Sequence, residues 1–470
     1  MYRFADADRA LPPHLGIPNG ATDPQPDPAV AGPRVLQISK FFPPVMGGIE
    51  TVAWELAEGL NASGARCDVL CSHHEARTVD DRAARGYRIV RAGSWGRLLS
   101  TSIAPSMVGA LRSMAEDYDV VHLHMPDPMA ALAVFAVRPR ARLVVHWHSD
   151  VIRQRIAMHA YRHLQDWVLR RADAIVATSA AYARSSDALR PFGHKVAVVP
   201  IGISASRYRP DPADVAAIRA MHPGKRIVFS LGRMTHYKGF DVLVRAATSL
   251  PEDTVVMIGG DGDLLEPLRR QVAEHGLQHK VHLLGHIPDH TLAAHFAACD
   301  VFCMPSTLRA EAYGVAIVEA MVCGKPIVAT DIAGSGVPWV NLHRETGLNV
   351  PVGNPVALAA SLCALLADAR LRQHYGGAAE RRYEREFRAE RMTGRMLRLY
   401  EAISASAPAH RRVGTPAFDA EPQTVPMAAR AALFPSEPAA RAPAASRTVV
   451  DDATAALPSV RRQAPVEEAS

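Results

Sequence analysis

The sequence predicts an α/β fold built twice, as two mostly parallel sheets covered by helices and facing each other across a cleft. Three observations predict it. Short apolar runs alternate with stretches whose apolar positions recur at helical spacing, and such strand–helix alternation makes parallel sheets with helical crossovers. The alternation pauses after about Arg207 and restarts at Arg226. Several runs end in glycine-rich turns that open the next helix, at the strand end where open α/β sheets hold their ligands. The chain's 470 residues accommodate two such domains and terminal extensions.

Residues 1–32 are rich in Pro, Asp, Ala and Gly without periodicity, which predicts a disordered tail. Residues 33–207 form the first Rossmann-like domain. VLQIS (35–39) is its opening strand, FFPPVMGG (41–48) a loop, and IETVAWELAEGLNASG (49–64) a helix. CDVLCS, YRIVR, DVVHLH, RLVVHWH, DAIVATS and KVAVVP supply further strands. The stretch VIRQRIAMHAYRHLQDWVLRRADA (151–174) combines Arg and His with a bulky apolar stripe. Such a stripe packs on a sheet or rests on an anionic membrane. DPADVAAIRAMHPGK is a polar connector with some helix. Residues 208–390 repeat the pattern with RIVFSLGR, TVVMIGG, KVHLLG, DVFCMPS, KPIVATD and TGLNV. A last helix, 391–405, is expected to pack back on the first domain, and the Ala/Pro/Arg-rich residues 406–470 read as a second flexible tail.

Composition narrows the class. Hydrophobic residues are 48% and charged residues 21%, the balance of an ordinary globular chain. The net charge of +6 comes from arginines spread along the whole length, which is compatible with a polyanionic ligand or an anionic surface and demands neither. Six cysteines stand at 67, 71, 299, 303, 323 and 363 without a C-x-x-C pair, as expected of reduced core thiols in a cytoplasmic protein. The amino terminus lacks the apolar segment of a secretory signal, and no window holds the ~18 apolar residues of a spanning helix. The expected location is the cytoplasm, with peripheral contact at the cytoplasmic face of a membrane as the compatible membrane role. Aromatic residues are only 6% and do not cluster with the basic ones, which argues against nucleic acid as a partner.

The most informative segment is PSTLRAEAYGVAIVEAMVCGKPIVATD (305–331). A strand ends near Met304 and a helix opens near Tyr313–Gly314, so Glu311 precedes the helix and Glu319 lies about 7.5 Å along its axis. Glycine at 314 lets a ligand approach the first-turn N–H groups of residues such as Val315, and those groups favour an anion. A diphosphate held there would have a sugar beyond one end and a ribose beyond the other, with a carboxylate for the hydroxyls of each. A bare E-x7-E spacing is more often a solvated acid and a helix-face residue. The strand–glycine–helix context is what singles this one out.

FSLGRMTHYKGFDVLVRA (229–246) places Arg233 and Lys238 at a strand's carboxyl end, where two cations suit a diphosphate and stabilise the charge that develops on it as it leaves. Gly47 and Gly48, between the first strand and first helix, permit close backbone approach of a phosphate. MIGGDGDLLEPL (257–268) is a similar turn that a simple helix cap explains equally well. His122, His124, His146 and His148 form two H-x-H pairs. Without a cysteine or carboxylate to complete a ligand set no metal site is assigned. His148, at its strand's carboxyl end, is the one expected to meet a sugar hydroxyl.

Taken together, GGIE…LAEGL, HWHSD, LGR…KG and EAYGVAIVEAM-x2-GKPIVATD resemble the family-4 glycosyltransferases of the GT-B fold over roughly residues 34–400. The resemblance implies transfer of a sugar from a nucleotide donor with retention at the anomeric carbon and without a metal ion or other cofactor. It implies that Glu311 holds donor-sugar hydroxyls and Glu319 the donor ribose, that Arg233 and Lys238 clamp the diphosphate, and that Gly47, Gly48, Tyr313, Gly314 and Val315 line the donor. His148 would stand beside the donor sugar. The turn GSGVPWVNLHRETGLNVP (334–351) departs from the commoner pattern, which places an acid after the glycines. It is similar to a subgroup of bacterial surface-polysaccharide enzymes, several of which use GDP-mannose.

The function expected is therefore a retaining hexosyltransferase. It takes a GDP- or UDP-linked hexose, mannose being favoured, to a polyprenyl-diphosphate-linked or other glycan acceptor in surface-polysaccharide synthesis. A nucleotide-sugar 2-epimerase and a non-catalytic sugar-nucleotide-binding protein would use the same fold. The first would need an acid/base set across the sugar and no acceptor, and the second would not need both acids and both cations.

Overall fold

The computed structural model describes residues 32–405, apart from Met46, residues 99–100 and 151–154, and the side chains of 97–98 and 155–160. Of the terminal segments expected to be disordered, residues 1–31 and 406–470 lie outside the described residues, as does the start of the 151–174 stretch.

Each strand expected from the sequence forms. The first sheet contains β1 (Arg34–Ser39), β2 (Arg66–Ser72), β3 (Val79–Arg82) and β4 (Arg88–Ala92). After a small hairpin, β5 (Arg97–Leu98) and β6 (Thr101–Ser102), come β7 (Val120–Met125), β8 (Arg142–Trp147), β9 (Ala174–Ala177) and β10 (Val196–Val198). The order is β10-β9-β8-β7-β1-β2-β4-β3, parallel throughout except that β3 runs antiparallel to β4. The second sheet joins β11 (Arg226–Leu231), β12 (Thr254–Gly259), β13 (Val281–Gly285), β14 (Val301–Met304), β15 (Ile327–Thr330) and β16 (Gly347–Val350) in the all-parallel order β13-β12-β11-β14-β15-β16. The inner strands are buried on both faces, every residue of β7, β8, β12 and β14 included, which is why they read as continuous apolar runs.

Both sheets reverse direction once. The chain works outward from β11 to β13, then returns to the other side of β11 with β14; β1 and β7 flank the equivalent point in the first sheet. At such a reversal the loops leaving the two central strands diverge and open a crevice above their carboxyl ends.

The two sheets are joined by more than the connector. One apolar cluster includes Val35 and Val52 of the first domain, Phe229 and Ile317 of the second, and Phe387, Met396 and Tyr400 near the end of the described chain. The last expected helix forms, and the charged stretch before it is not continuous with it. A helix, Ala369–Arg382, runs into a wide turn at Tyr383–Phe387, Arg388 is extended, and a second helix spans Ala389–Ala405. The break lets Ile203 pair with the returning chain: Ile203 N–H donates to Phe387 O and Ala389 N–H to Ile203 O, at 2.9 and 3.1 Å. Helix Ala389–Ala405 then lies against helix Gly48–Ala62, so closely that a Cβ on Gly59 would come within 2.1 Å of Thr393 Oγ1.

Candidate functional site

The loops after β11 and β14 meet at the reversal of the second sheet. Gly239 makes the contact possible. Its φ is +66°, and a Cβ there would come within 2.1 Å of Pro305 O. Lys238 Nζ donates to Glu311 Oε2 at 2.6 Å, and Ser306 Oγ donates to the same oxygen at 2.9 Å. Glu311 Oε1 takes no bond among the described residues, so the carboxylate is fixed by one oxygen and free to accept with the other. Burial alone would lower the Lys238 pKa, but the Glu311 charge and hydrogen bond outweigh it and hold the ammonium above its ordinary value. Arg233 is exposed, close enough for its charge to act on Lys238, and makes no ion pair among the described residues. Arg233, Lys238 and Glu311 are thus brought together, as the resemblance implied.

Helix Val315–Val322 begins where expected, with Gly314 as its cap at φ +86°. Glu319 is its fifth residue and is nearly buried. Burial raises its pKa, opposed by the Tyr208 phenol that donates to Oε1 at 2.7 Å and by the nearby Arg207. Tyr208 comes from the connector between the domains, 111 residues from Glu319 and outside every motif. Tyr313 corrects an expectation. Its ring is buried against Trp339 and Phe387 and its hydroxyl donates to Ile201 O at 3.3 Å, so its side chain belongs to the domain packing and only its backbone can face a donor.

On the first domain, Gly47 caps helix Gly48–Ala62 in extended conformation. A Cβ on Gly48 would meet nothing within 4 Å, so no contact inside the protein requires glycine there. His148 follows β8 and is buried but for its edge. Gln37 Nε2 donates to Cys67 Sγ at 3.2 Å, which leaves Gln37 Oε1 to accept from His124 Nε2 at 2.7 Å. His124 Nδ1 then accepts from His148 Nε2 at 2.8 Å. In this orientation of the amide His148 keeps Nδ1 as a lone pair, suited to accept from a hydroxyl. Burial pushes the His148 pKa down to about 3, so the ring is neutral.

The other histidines are core. Tyr400 Oη lies 2.7 Å from His122 Nδ1, and His122 Nε2 lies 3.3 Å from His146 Nδ1. The nitrogens of His122, His124 and His146 come within 4.8 Å of one another, a spacing that admits a metal ion. All but His146 Nε2 have a hydrogen-bonding partner. Asp127, after β7, is a buried carboxylate that the sequence reading passed over. Its Oδ1 caps helix Pro128–Val137 through Met129 N and Ala130 N, and burial pushes its pKa up to about 6. The described part of helix Arg155–Arg171 turns Trp167 against Phe135 and buries Val168 and Leu169, so this stretch of the apolar stripe packs on the fold. No described helix is long and apolar enough to cross a membrane.

Fold and site together are those of a two-domain α/β protein with a paired cation and carboxylate at the second sheet's reversal. Residues 47–202 match a glycosyl transferase 4-like domain, and residues 216–382 match glycosyl transferases group 1. The O-antigen chain mannosyltransferase C of Escherichia coli is 30% identical over 376 residues, 79% of this chain and 99% of that protein. D-rhamnosyltransferase WbpZ of Pseudomonas aeruginosa is 33% identical over 358 residues, 76% and 92% of the two chains. The GDP-mannose-dependent alpha-(1-6)-phosphatidylinositol monomannoside mannosyltransferase of Mycobacterium tuberculosis is 32% identical over 377 residues, 74% and 93%. The chain belongs to this family of glycosyltransferases. Sucrose-phosphate synthase from Thermosynechococcus elongatus (TM-score 0.68, 21% identity, 80% of this chain and 100% of that one) and HepE of Anabaena in complex with UDP (TM-score 0.62, 22%, 78% and 100%) share the GT-B fold.

Proposed function

We propose that this enzyme transfers mannose from GDP-mannose, with retention and without a metal ion, to a lipid-linked or other glycan acceptor in surface-polysaccharide synthesis. The observation that carries the reading is the Lys238–Glu311–Ser306 cluster at the second sheet's reversal, with Arg233 beside it. Glu311 Oε1 accepts from the donor-sugar hydroxyls, and Glu319 from the ribose. His148 Nδ1 accepts from a further sugar hydroxyl on the opposite wall. Lys238 and Arg233 face the diphosphate. The names of the relatives, two of three being mannosyltransferases and one GDP-mannose-dependent, favour mannose and favour transfer over epimerisation.

The step forms the bond between the acceptor oxygen and the anomeric carbon and breaks the bond from that carbon to the donor phosphate. Attack comes from the face that the diphosphate leaves, and a departing phosphate oxygen takes the acceptor's proton. Lys238 and Arg233 offset the charge as it develops, and enclosure between the domains supplies orientation. Any membrane contact is peripheral, at the cytoplasmic face, where a lipid-linked acceptor would be met.

The test is a melting-temperature screen against GDP-mannose, GDP-rhamnose, UDP-glucose, ADP-glucose and dTDP-glucose, followed by transfer to a polyprenyl-diphosphate oligosaccharide. GDP-mannose should raise the melting temperature most, because a ligand that binds only the folded state stabilises it. Stabilisation by a different donor alone would overturn the mannose assignment. Formation of an epimer without acceptor would overturn transfer.

A further inference from the structure

The turn that departs from the commoner family pattern lies against the first domain. Gly334 has φ +72°, and a Cβ there would come within 2.7 Å of Ser185 Cβ and 3.2 Å of Arg309 Cδ. A Cβ on Gly336 would come within 2.9 Å of Ser179 Oγ. The two glycines let this turn of the second domain press onto helix Ala180–Ser185 of the first, and Ser185 Oγ donates to Gly334 O at 2.6 Å.

The same contact holds an ion pair. Asp150 is anchored in the first domain, with Oδ1 accepting from Trp147 Nε1 at 3.0 Å and Ser186 Oγ at 2.6 Å, and its N–H donating to Tyr182 Oη at 2.7 Å. Its other oxygen, Oδ2, accepts from Arg309 Nη2 of the second domain. Arg309 Nη1 donates to Ser185 Oγ at 2.8 Å, and its guanidinium sits 4.9 Å from the Tyr182 ring centroid. The side chains are only 25% and 15% exposed, so the pair is screened far less than a surface pair. Asp150 follows His148 by two residues, and Arg309 precedes Glu311 by two.

We infer that Asp150 and Arg309 are positioning residues, a clasp across the domain boundary that sets the His148 loop against the Glu311 loop on opposite sides of the donor sugar. This rests on the donor-site reading above. The two arms of the guanidinium reach separate partners, Asp150 Oδ2 and Ser185 Oγ, while its charge lies over the Tyr182 ring, and Lys would supply the charge without the fork. An ångström of slack between the loops is enough to lower turnover about 10²-fold.

The test is a double-mutant cycle of Arg309→Met and Asp150→Asn in the full chain, read by steady-state kinetics with GDP-mannose and by amide exchange without any ligand. Each single variant should lower kcat about 10²-fold while changing the donor KM less than tenfold. The double variant should be no worse than either, and Arg309→Lys should recover part of the loss. Amides of 182–186 and 334–336 should exchange at least about tenfold faster in both single variants, with the rest of the chain unchanged. Losses that multiply in the double variant, or single variants that turn over normally, would overturn the clasp. If the native enzyme does not use GDP-mannose, the donor reading fails, and unchanged exchange in both variants then overturns the clasp on its own.

Discussion

The two sheets reverse in the same way and treat the polar groups at their reversals in opposite ways. In the second sheet Lys238 pairs with Glu311, which holds the ammonium above its ordinary value, and Glu311 keeps one carboxylate oxygen without a partner among the described residues. In the first, four histidines and Asp127 are buried, and desolvation drives them toward their neutral forms. The backbone supplies the same crevice twice. Pairing, not exposure, keeps the Lys238 ammonium charged, for its side chain is only 12% exposed.

Three substitutions probe that contrast. The largest effect is expected from Lys238→Ala, which should lower kcat/KM by about 10²–10³-fold, the usual consequence of removing one donor aimed at developing charge. Steady-state assay with GDP-mannose measures it. Near-normal turnover would erase the contrast.

The second concerns the buried histidines. A ring whose folded-state pKa lies well below 6.5 stays neutral in the fold, while the unfolded chain takes up a proton below that pH. Stability is therefore present above pH 6.5 and lost as pH falls toward the folded value, by about 1.4 kcal/mol per pH unit for each such ring. Asp127, raised to about 6, acts in the opposite sense, but equally in native and variant chains. His146→Leu removes one ring whose Nε2 has no partner, so its stability should fall less steeply by about 1.4 kcal/mol per pH unit between pH 6 and 4. Urea unfolding across that range checks it, and turnover at pH 7.5 should stay within about threefold of native.

The smallest structural effect is expected from Gly48→Ala. A Cβ there meets nothing within 4 Å, and alanine favours the helix that Gly48 opens, so stability should hold or rise by up to about 1 kcal/mol. Activity should fall about tenfold, with the loss in KM, because the methyl stands where donor or acceptor must approach. Unchanged kinetics would remove the glycine loop from the site.

Much of this was legible in the sequence because burial writes itself into apolar runs. The strands of both sheets and the helix carrying Glu319 follow from that pattern, whereas a shared site for Arg233, Lys238 and Glu311 was implied by the family resemblance. The strand Val79–Arg82 was not legible. It reads VDDR, lies on an edge with three of four residues exposed, and carries no alternation. Tyr208 and Arg309 were not legible either. Their partners, Glu319 and Asp150, lie 111 and 159 residues away in sequence; folding of the connector onto the second domain brings the first pair together, and docking of the two domains the second. The direction of the Tyr313 ring was not legible for the same reason: proximity to Gly314 in sequence says nothing about a ring that turns into the contact between the domains.

The central claim is that the loops meeting at the second sheet's reversal hold a nucleoside diphosphate with the sugar on Glu311. Calorimetric titration of GDP into the native chain, Lys238→Ala and Glu311→Gln tests it most directly. Lys238→Ala should bind GDP at least about tenfold more weakly, while Glu311→Gln, whose carboxylate faces the absent sugar, should bind it within about threefold of native and yet lose turnover. Lys238→Ala binding GDP as tightly as the native chain would contradict the account.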